Sequence, residues 1–253
     1  MSGHKTTALV TGASAGLGAE FCRQLADRCE VIIAVARRRA PLEALAAELG
    51  SQVEMHCIES DLTSVQGVAR AMEALRQLGP VDYLVNNAGF STFGSFAAVP
   101  VDAQRDMLRL HCDATITLCR AAVPYMAELG GGVIINVSSL AALAPGKGFA
   151  VYGATKAFLN YFSASLQEEV RPDGIEVQAL CPGFTRTEFH DAMSQQGFDR
   201  ERVPGDMWMD AGDVVAASLA ALGSGQVLVV PGETNQALAR AAVDGQQALF
   251  GSG

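Results

Sequence analysis

The sequence predicts an α/β fold in which a doubly wound, mostly parallel sheet carries helices on both faces. Segments of β character alternate with segments of helical periodicity along the whole chain. Strands separated by helices pair in parallel through right-handed crossovers. Two predicted strands, residues 31–35 and 133–135, are apolar throughout. A strand without a polar face fits a sheet that is covered on both sides.

The alternation predicts seven strands and seven helices. The strands span residues 6–11, 31–36, 52–58, 81–85, 133–137, 175–180 and 227–230. The helices span residues 17–28, 41–49, 64–78, 102–129, 151–170 and 211–222, with a last one from residue 233 onward. Because no linker, repeat or low-complexity segment interrupts this pattern, we expect one domain over residues 1–253.

Composition excludes several classes of function. A net charge of −9 argues against nucleic acid as a partner. The apolar stretches are too short to span a bilayer, and residues 1–7 do not resemble a secretory signal, so we expect no membrane association and a cytoplasmic protein. The six cysteines form no C-x-x-C pair, which indicates buried free thiols and no metal site.

A glycine-rich turn follows the first predicted strand and reads Thr11-Gly12-Ala13-Ser14-Ala15-Gly16-Leu17-Gly18. Glycines let the backbone approach a pyrophosphate, and the N-terminus of the following helix offers free N–H groups and the positive end of its dipole. The strand–turn–helix context therefore predicts a dinucleotide site at Gly12, Ser14, Ala15, Gly16 and Leu17.

The residues after the second strand indicate which dinucleotide fits. A carboxylate there would bind the ribose 2′-hydroxyl of NAD. This chain instead has Arg37 and Arg38 after Ala36, and a guanidinium matches a phosphate in charge and geometry. The sequence therefore predicts NADP(H) in preference to NAD(H), with Arg37 as the first choice for the 2′-phosphate and Arg38 as the second. A solvated basic cap on the next helix is the alternative.

Two further loops are expected at the same edge of the sheet. Asp61 and Leu62 follow the third strand, where they could hold the adenine; Asp61 is alternatively the N-cap of the next helix. Asn87, Ala88 and Gly89 follow the fourth strand and could flank the cofactor ribose.

Tyr152 and Lys156 are four residues apart in the helix predicted for residues 151–170. Positions i and i+4 share one helix face, so the phenol and the ammonium should lie side by side. A free phenol has a pKa of about 10. A neighbouring cation favours the phenolate, which would bring the group into a range useful for proton transfer. The spacing alone also fits an ordinary surface helix.

Polar and small residues also follow the fifth and sixth strands. Ser139 lies thirteen residues before Tyr152, and its hydroxyl could hydrogen-bond the oxygen of a carbonyl substrate. Pro182, Gly183 and Thr185 follow the sixth strand at the same carboxyl edge.

Together these motifs resemble the short-chain dehydrogenase/reductase family. The resemblance rests on Thr11-Gly12-x-x-x-Gly16-x-Gly18, Asn86-Asn87-Ala88-Gly89, Ser139 with Tyr152-x-x-x-Lys156, and Pro182-Gly183. It covers essentially the whole chain. It implies a Rossmann-type fold and hydride transfer between a nicotinamide and a small-molecule alcohol or carbonyl compound.

The resemblance also implies a role for each position. Tyr152 would donate the proton in reduction and accept it in oxidation. Lys156 would lower the pKa of the phenol and bind the nicotinamide ribose, and Ser139 would orient and polarise the substrate oxygen. The cofactor would be held by Gly12, Ser14, Gly16 and Leu17 at the pyrophosphate and adjoining ribose, and by Thr185 at the nicotinamide end.

One candidate catalytic position departs from the family pattern. The family usually has an Asn in the long helix, and its main-chain carbonyl holds a water that relays protons to the lysine. Here that position is His111, thirteen residues before Pro124. Its main chain could keep the contact, or its ring could join the relay or replace the water. A purely structural histidine is equally open.

Residues 190–210 are expected to cover the substrate, as the corresponding segment does in the family. Packing of a short helix pair against the core is the alternative. The apolar side chains of this segment are Met193, Phe198, Met207, Trp208 and Met209. Further apolar walls could come from Phe90, Phe93, Phe149 and Phe184. We therefore expect a hydrophobic or medium-sized ketone, aldehyde or secondary alcohol.

The helices predicted for residues 102–129 and 151–170 carry apolar residues on more than one face. Family members pair these helices between subunits, so the resemblance implies a homodimer or homotetramer. The tail, residues 235–250, would pack on a neighbouring subunit or cap its own sheet. The alternative function is an NADP(H)-binding sensor with little activity, which would usually have lost the Tyr or the Lys.

Overall fold

The computed structural model describes residues 4–246, which form nine strands and nine α-helices. The strands are β1 (Thr7–Thr11), β2 (Val31–Ala36), β3 (Glu54–Glu59), β4 (Tyr83–Asn86), β5 (Gly132–Val137), β6 (Ile175–Leu180), β7 (Phe184–Arg186), β8 (Trp208–Asp210) and β9 (Leu228–Val229). The helices are α1 (Gly16–Leu25), α2 (Arg39–Leu49), α3 (Val65–Leu78), α4 (Val101–Leu108), α5 (Ala114–Leu129), α6 (Ala150–Val170), α7 (Glu188–Ser194), α8 (Ala211–Ala220) and α9 (Glu233–Gly245).

The central sheet confirms the predicted doubly wound fold. Its seven strands lie in the order β3-β2-β1-β4-β5-β6-β9, and every neighbouring pair is parallel. The strand order reverses between β1 and β4, and a crevice opens beyond the carboxyl ends of the strands at such a point. The loops after β1 and β4, which carry Gly12 and Asn87, meet there.

Side chains of the central strands alternate between two apolar layers. Ala8 and Val10 of β1 join the layer that contains Phe21 of α1, whereas Leu9 joins the opposite layer with Leu118 of α5. Successive residues of a strand point to opposite faces, so an all-apolar strand can feed both layers. This explains why the strands have no polar face.

The single long helix predicted for residues 102–129 is interrupted. A π-helical turn, Arg109–Asp113, joins α4 to α5, and His111 lies in it. No Pro or Gly stands in this turn to signal it in the sequence. Single-turn π segments of this kind frequently occur at functional sites.

Other predictions also need correction. The first helix ends at Leu25 rather than at residue 28, and the third strand begins at Glu54 rather than at residue 52. The prediction missed β7 and β8, which pair with each other outside the main sheet. These strands have only three residues each, too few for a period-2 pattern to be recognised.

No helix within residues 4–246 is long and apolar enough to cross a membrane. In the same residues, no group of three or more His, Cys, Asp or Glu side chains is placed to hold a metal ion. All six cysteines are free; four are buried as expected, but Cys57 and Cys112 are partly exposed. The predicted packing of residues 235–250 partly lies outside the described residues.

Candidate active site

A cleft of about 420 Å³ opens at the carboxyl edge of the sheet, where the strand order reverses. All the predicted cofactor-binding residues line it, together with Ser139. They are Gly12, Ser14, Ala15, Gly16, Leu17, Arg37, Arg38, Asp61, Leu62, Asn87, Ala88, Gly89, Tyr152, Lys156, Pro182, Gly183 and Thr185. Of the predicted catalytic and cofactor-binding residues, only His111 is not part of this lining. Of the apolar walls predicted for the substrate, Phe90 lines the cleft, whereas Phe93, Phe149 and Phe184 do not.

The glycine turn packs too closely against its neighbours to accept side chains at Gly12 and Gly18. Gly12 has a φ of +67°, and a Cβ there would lie 2.7 Å from Nδ2 of Asn87. A Cβ on Gly18 would overlap the carbonyl oxygen of Gly12. Ala15, the N-cap residue of α1, provides no side-chain hydrogen bond to the helix. The first N–H groups of α1 are therefore left for a ligand, which fits a pyrophosphate.

Asn87 holds this turn in place. Its Nδ2 donates to the carbonyl oxygen of Thr11 at 2.8 Å, and the Thr11 hydroxyl accepts from the N–H groups of Asn87 and Ala88 at 2.9 and 3.0 Å. The Asn87 amide thus ties the loop after β4 to the loop after β1. Asn87 therefore shapes the cleft by holding these two loops together.

The predicted 2′-phosphate residues occupy different surroundings. Arg38 donates to the Ser14 hydroxyl at 3.3 Å and pairs with Glu188 of α7 at 2.9 Å. Arg37 lies on the side of Asp61. Partial burial raises the pKa of Asp61, but hydrogen bonds from Thr63 and the charge of Arg37 leave it below its ordinary value. The cleft thus has two guanidinium groups where the 2′ position was predicted.

Asp61 does not cap α3. Its Oδ1 accepts from the N–H and hydroxyl of Thr63 at 3.0 and 2.8 Å, and Ser64 caps the helix by accepting from the N–H of Gly67 at 3.0 Å. Leu62 beside it is buried. The N-cap alternative for Asp61 is therefore wrong, and its contact with the adenine stays a prediction.

Ser139, Tyr152 and Lys156 converge at the other end of the cleft. Nζ of Lys156 lies 5.7 Å from the centroid of the Tyr152 ring, as two side chains on one helix face should. The ammonium donates to the carbonyl oxygen of Val137 at 2.8 Å. Oγ of Ser139 accepts from the N–H of Ala141 at 3.1 Å, so its own proton remains available for a substrate oxygen.

The predicted lowering of the Tyr152 pKa is wrong for the chain by itself, because its own groups raise this pKa. Burial raises the pKa of Tyr152 to about 12, against a lowering effect of the Ser139 hydroxyl. Burial also lowers the pKa of Lys156 to about 8. Burial is the largest cause of both shifts, and the ammonium is directed to the carbonyl oxygen of Val137. At neutral pH the phenol is therefore protonated, as an acid must be.

His111 is buried behind the catalytic helix. Its Nε2 accepts from the N–H of Phe90 at 3.2 Å, so the ring proton is on Nδ1 and is donated to the Thr155 hydroxyl at 2.8 Å. That hydroxyl donates to the carbonyl oxygen of Tyr152 at 2.8 Å. Burial and the charge of Lys156 hold the pKa of His111 well below its usual value. The neutral ring thus connects the loop after β4 to α6, and this geometry favours the structural alternative.

Helix α7 supplies cleft residues that the sequence reasoning missed. Glu188, Phe189 and Ala192 line the cleft, so its lining includes residues that precede the segment predicted at 190–210. A signal was present, since Thr187 followed by an acidic residue is typical of a helix start. Gln196, after α7, accepts from the N–H of Phe93 at 2.9 Å and fastens the segment to the loop after β4.

Comparisons with known proteins identify the family. Residues 6–197 match the family described as short chain dehydrogenase. A serine 3-dehydrogenase from Rhizobium radiobacter is 35% identical over 186 residues, which cover 72% of this chain and 73% of that protein.

Two solved structures are similar over nearly the whole chain. A short-chain dehydrogenase from Sphingobium yanoikuyae in complex with NADPH is 32% identical, with a TM-score of 0.85 over 97% of this chain and 94% of that one. A bulky-bulky ketone specific alcohol dehydrogenase from Comamonas testosteroni is 30% identical, with a TM-score of 0.81 over 97% of this chain and 93% of that one.

The chain belongs to the short-chain dehydrogenase family. It is an oxidoreductase of that class and binds a nicotinamide cofactor.

Proposed function

We propose that the chain is an NADP(H)-dependent oxidoreductase that interconverts a ketone or aldehyde and an alcohol, with Tyr152 as the acid/base. One observation carries the proposal: Ser139, Tyr152 and Lys156 lie at one end of the cleft whose other end is formed by the glycine turn and two arginines. A hydride donor and a proton donor would therefore face the same substrate carbon–oxygen bond.

Each side chain has a defined task in reduction. The glycine turn and Lys156 would hold a nicotinamide cofactor, which would supply the hydride when bound. The Ser139 hydroxyl donates a hydrogen bond to the carbonyl oxygen and polarises it. Tyr152, with a pKa of about 12, holds its proton until negative charge develops on that oxygen and then donates it. The buried ammonium of Lys156 stabilises the phenolate that remains. Oxidation runs through the same groups in reverse.

The preference for NADP(H) rests on charge. No carboxylate follows β2, where one would bind a ribose 2′-hydroxyl, and Arg37 and Arg38 line the cleft there. The structure of the relative from Sphingobium yanoikuyae is a complex with NADPH. We expect Arg37→Ala to raise the Kd for NADPH much more than the Kd for NADH. Equal losses for both cofactors would refute the preference.

Activity is tested with NADPH and a panel of uncharged ketones and aldehydes. Loss of a general acid typically costs about 10²–10⁴ in rate, so Tyr152→Phe should lower kcat by that factor while the Kd for NADPH stays within about threefold. Tyr83→Phe, at the amino end of β4 and outside the cleft lining, is the matched control. A sensor, by contrast, would bind NADPH and oxidise it with none of the panel.

Assembly and domain organisation are part of the proposal. Apolar side chains on α4, α5 and α6 remain exposed in the single chain, among them Leu108, Ile116 and Tyr161. Such a surface suits pairing of these helices with a second copy in a homodimer or homotetramer. We also propose that residues 1–253 act as one domain with residues 188–210 as the substrate cover.

A further inference from the structure

Seven aromatic side chains form a closed series of ring contacts that includes the catalytic phenol. In order they are Tyr152, Phe149, Phe93, Phe198, Phe184, His190 and Phe189, with Phe189 returning to Tyr152. Neighbouring ring centroids are 5.1–6.2 Å apart, within the range of favourable aromatic pairs. We call this set the aromatic circuit.

The aromatic circuit is not part of the protein core. Its five phenylalanines are only partly buried, although Phe is among the residues most often fully buried. They come from four separate parts of the chain: the loop after β4, the N-cap of α6, strand β7 and the covering segment. Partly exposed apolar side chains gathered around a catalytic group mark a ligand surface. Phe189 itself lines the cleft beside Tyr152.

Charged groups are confined to the other parts of the cleft. Within residues 4–246, the charged side chains of the lining are Arg37, Arg38, Asp61, Glu188 and Lys156. The first four lie towards the nucleotide end, where Arg38 pairs with Glu188. Lys156 is buried and donates to Val137. The substrate end therefore offers no cation to a carboxylate or phosphate.

The charged groups around the circuit lie outside the cleft lining, and they include Lys147, which is exposed two residues before Phe149. Arg200 stacks on Trp208 and pairs with Asp191, and Arg186 pairs with Asp210. Burial lowers the pKa of His190, against the effect of the Thr185 carbonyl, to which its Nδ1 donates at 2.8 Å. His190 is therefore neutral at neutral pH. A substrate anion brought against these aromatic rings would lose its hydration without gaining a partner, which is costly.

We propose that the substrate is an uncharged ketone with an aryl or similarly flat, bulky apolar substituent, and that carboxylate- or phosphate-bearing carbonyl compounds are excluded. This rests on the proposed function, because it places the carbonyl oxygen at Ser139 and Tyr152. The substituent then lies against Phe189, which with Tyr152 and His190 forms the part of the aromatic circuit that lines the cleft. Its relatives include a serine 3-dehydrogenase and a bulky-bulky ketone specific alcohol dehydrogenase. The charge distribution of the cleft suits a bulky ketone better than serine.

The test uses matched pairs of ketones with NADPH. 4-Phenyl-2-butanone and 4-cyclohexyl-2-butanone differ in the ring but carry equivalent carbonyl groups. An aromatic contact contributes roughly 2- to 10-fold in kcat/KM, so the phenyl compound should be preferred by that factor. Methyl 4-acetylbenzoate and 4-acetylbenzoate differ in one charge far from the reacting carbon. The carboxylate should be worse by about 100-fold or more.

Variants separate the circuit from a general effect on folding. Phe189→Leu should reduce the phenyl preference to near parity, and Phe189→Trp should restore it. Phe96→Leu, at an exposed phenylalanine outside the circuit, should leave it unchanged.

Three results would overturn the inference: equal kcat/KM for phenyl and cyclohexyl ketones, an undiminished phenyl preference in Phe189→Leu, or turnover of 4-acetylbenzoate within tenfold of its ester. If the protein binds NADPH but reduces no ketone at all, the proposed function itself fails.

Discussion

Replacing His111 by Asn, the residue usual in the family, should destabilise this protein. The Asn amide reaches the place of Nδ1 and can still donate to the Thr155 hydroxyl, but it is too short to accept from the N–H of Phe90. The N–H of Phe90, which is only partly buried, then loses its partner in the chain, and the loss of such a hydrogen bond costs about 0.5–1.5 kcal/mol. For a chain of this size each kcal/mol corresponds to about 2–4 °C in Tm, so His111→Asn should melt a few degrees lower.

Thermal unfolding followed by circular dichroism measures the effect. His111→Gln is the informative companion, because its Oε1 reaches further and can accept from Phe90, so it should recover part of the loss. His56→Asn, at a partly exposed histidine that pairs with Glu54 on the surface, is the matched control and should change Tm by no more than a degree or two. An unchanged Tm in His111→Asn would show that the ring does not connect the two elements as described.

The remaining predictions concern the cofactor end and the buried lysine. Glu188→Gln should lower the Kd for NADPH by up to about fivefold and leave the Kd for NADH unchanged, because it frees Arg38 from a surface ion pair worth at most about 1 kcal/mol. Glu43→Gln, which frees Arg39 instead, is the control. Titration by fluorescence gives both Kd values. Gly12→Ala should lower stability by about 1–3 kcal/mol and abolish cofactor binding, since its φ of +67° and the contact with Asn87 forbid a Cβ; normal binding would contradict this. Burial lowers the pKa of Lys156 to about 8, so the unfolded chain binds this proton more strongly. The resulting destabilisation is fully present below pH 8 and is relieved as pH rises towards the ordinary lysine pKa of about 10.4. The free energy of unfolding of the wild type relative to Lys156→Met should therefore rise between pH 7 and pH 10, and a flat difference would refute the shift.

Sequence patterns predicted the parts of the site that depend on local chemistry. The glycine turn needs backbone freedom at Gly12, and Tyr152 and Lys156 need only helical spacing to share a face. These requirements involve only residues that are close together in the sequence. The fold followed for the same reason, since all-apolar strands such as β2 are recognisable one segment at a time.

Features that depend on contacts between distant segments were not predictable. Phe189 reaches Tyr152 only because β7 and β8 pair and Gln196 fastens the covering segment to Phe93. The π-turn around His111 is specified by the bonds of its ring to Phe90 and Thr155, and neither partner is near it in the sequence. The direction of the Tyr152 pKa shift depends on burial, which the Y-x-x-x-K spacing does not encode.

The fate of the transferred hydrogen tests the central claim most directly. Reduction of 4-phenyl-2-butanone with NADPH deuterated at C4 of the nicotinamide should place deuterium on the carbinol carbon of the alcohol product. Tyr152→Phe should bind the same cofactor and form at most about 1% as much alcohol. NADPH is labelled at one face of C4 in a first experiment and at the other face in a second. If the alcohol contains no deuterium in both experiments, hydride transfer is contradicted. Undiminished alcohol formation by Tyr152→Phe would contradict the role of Tyr152.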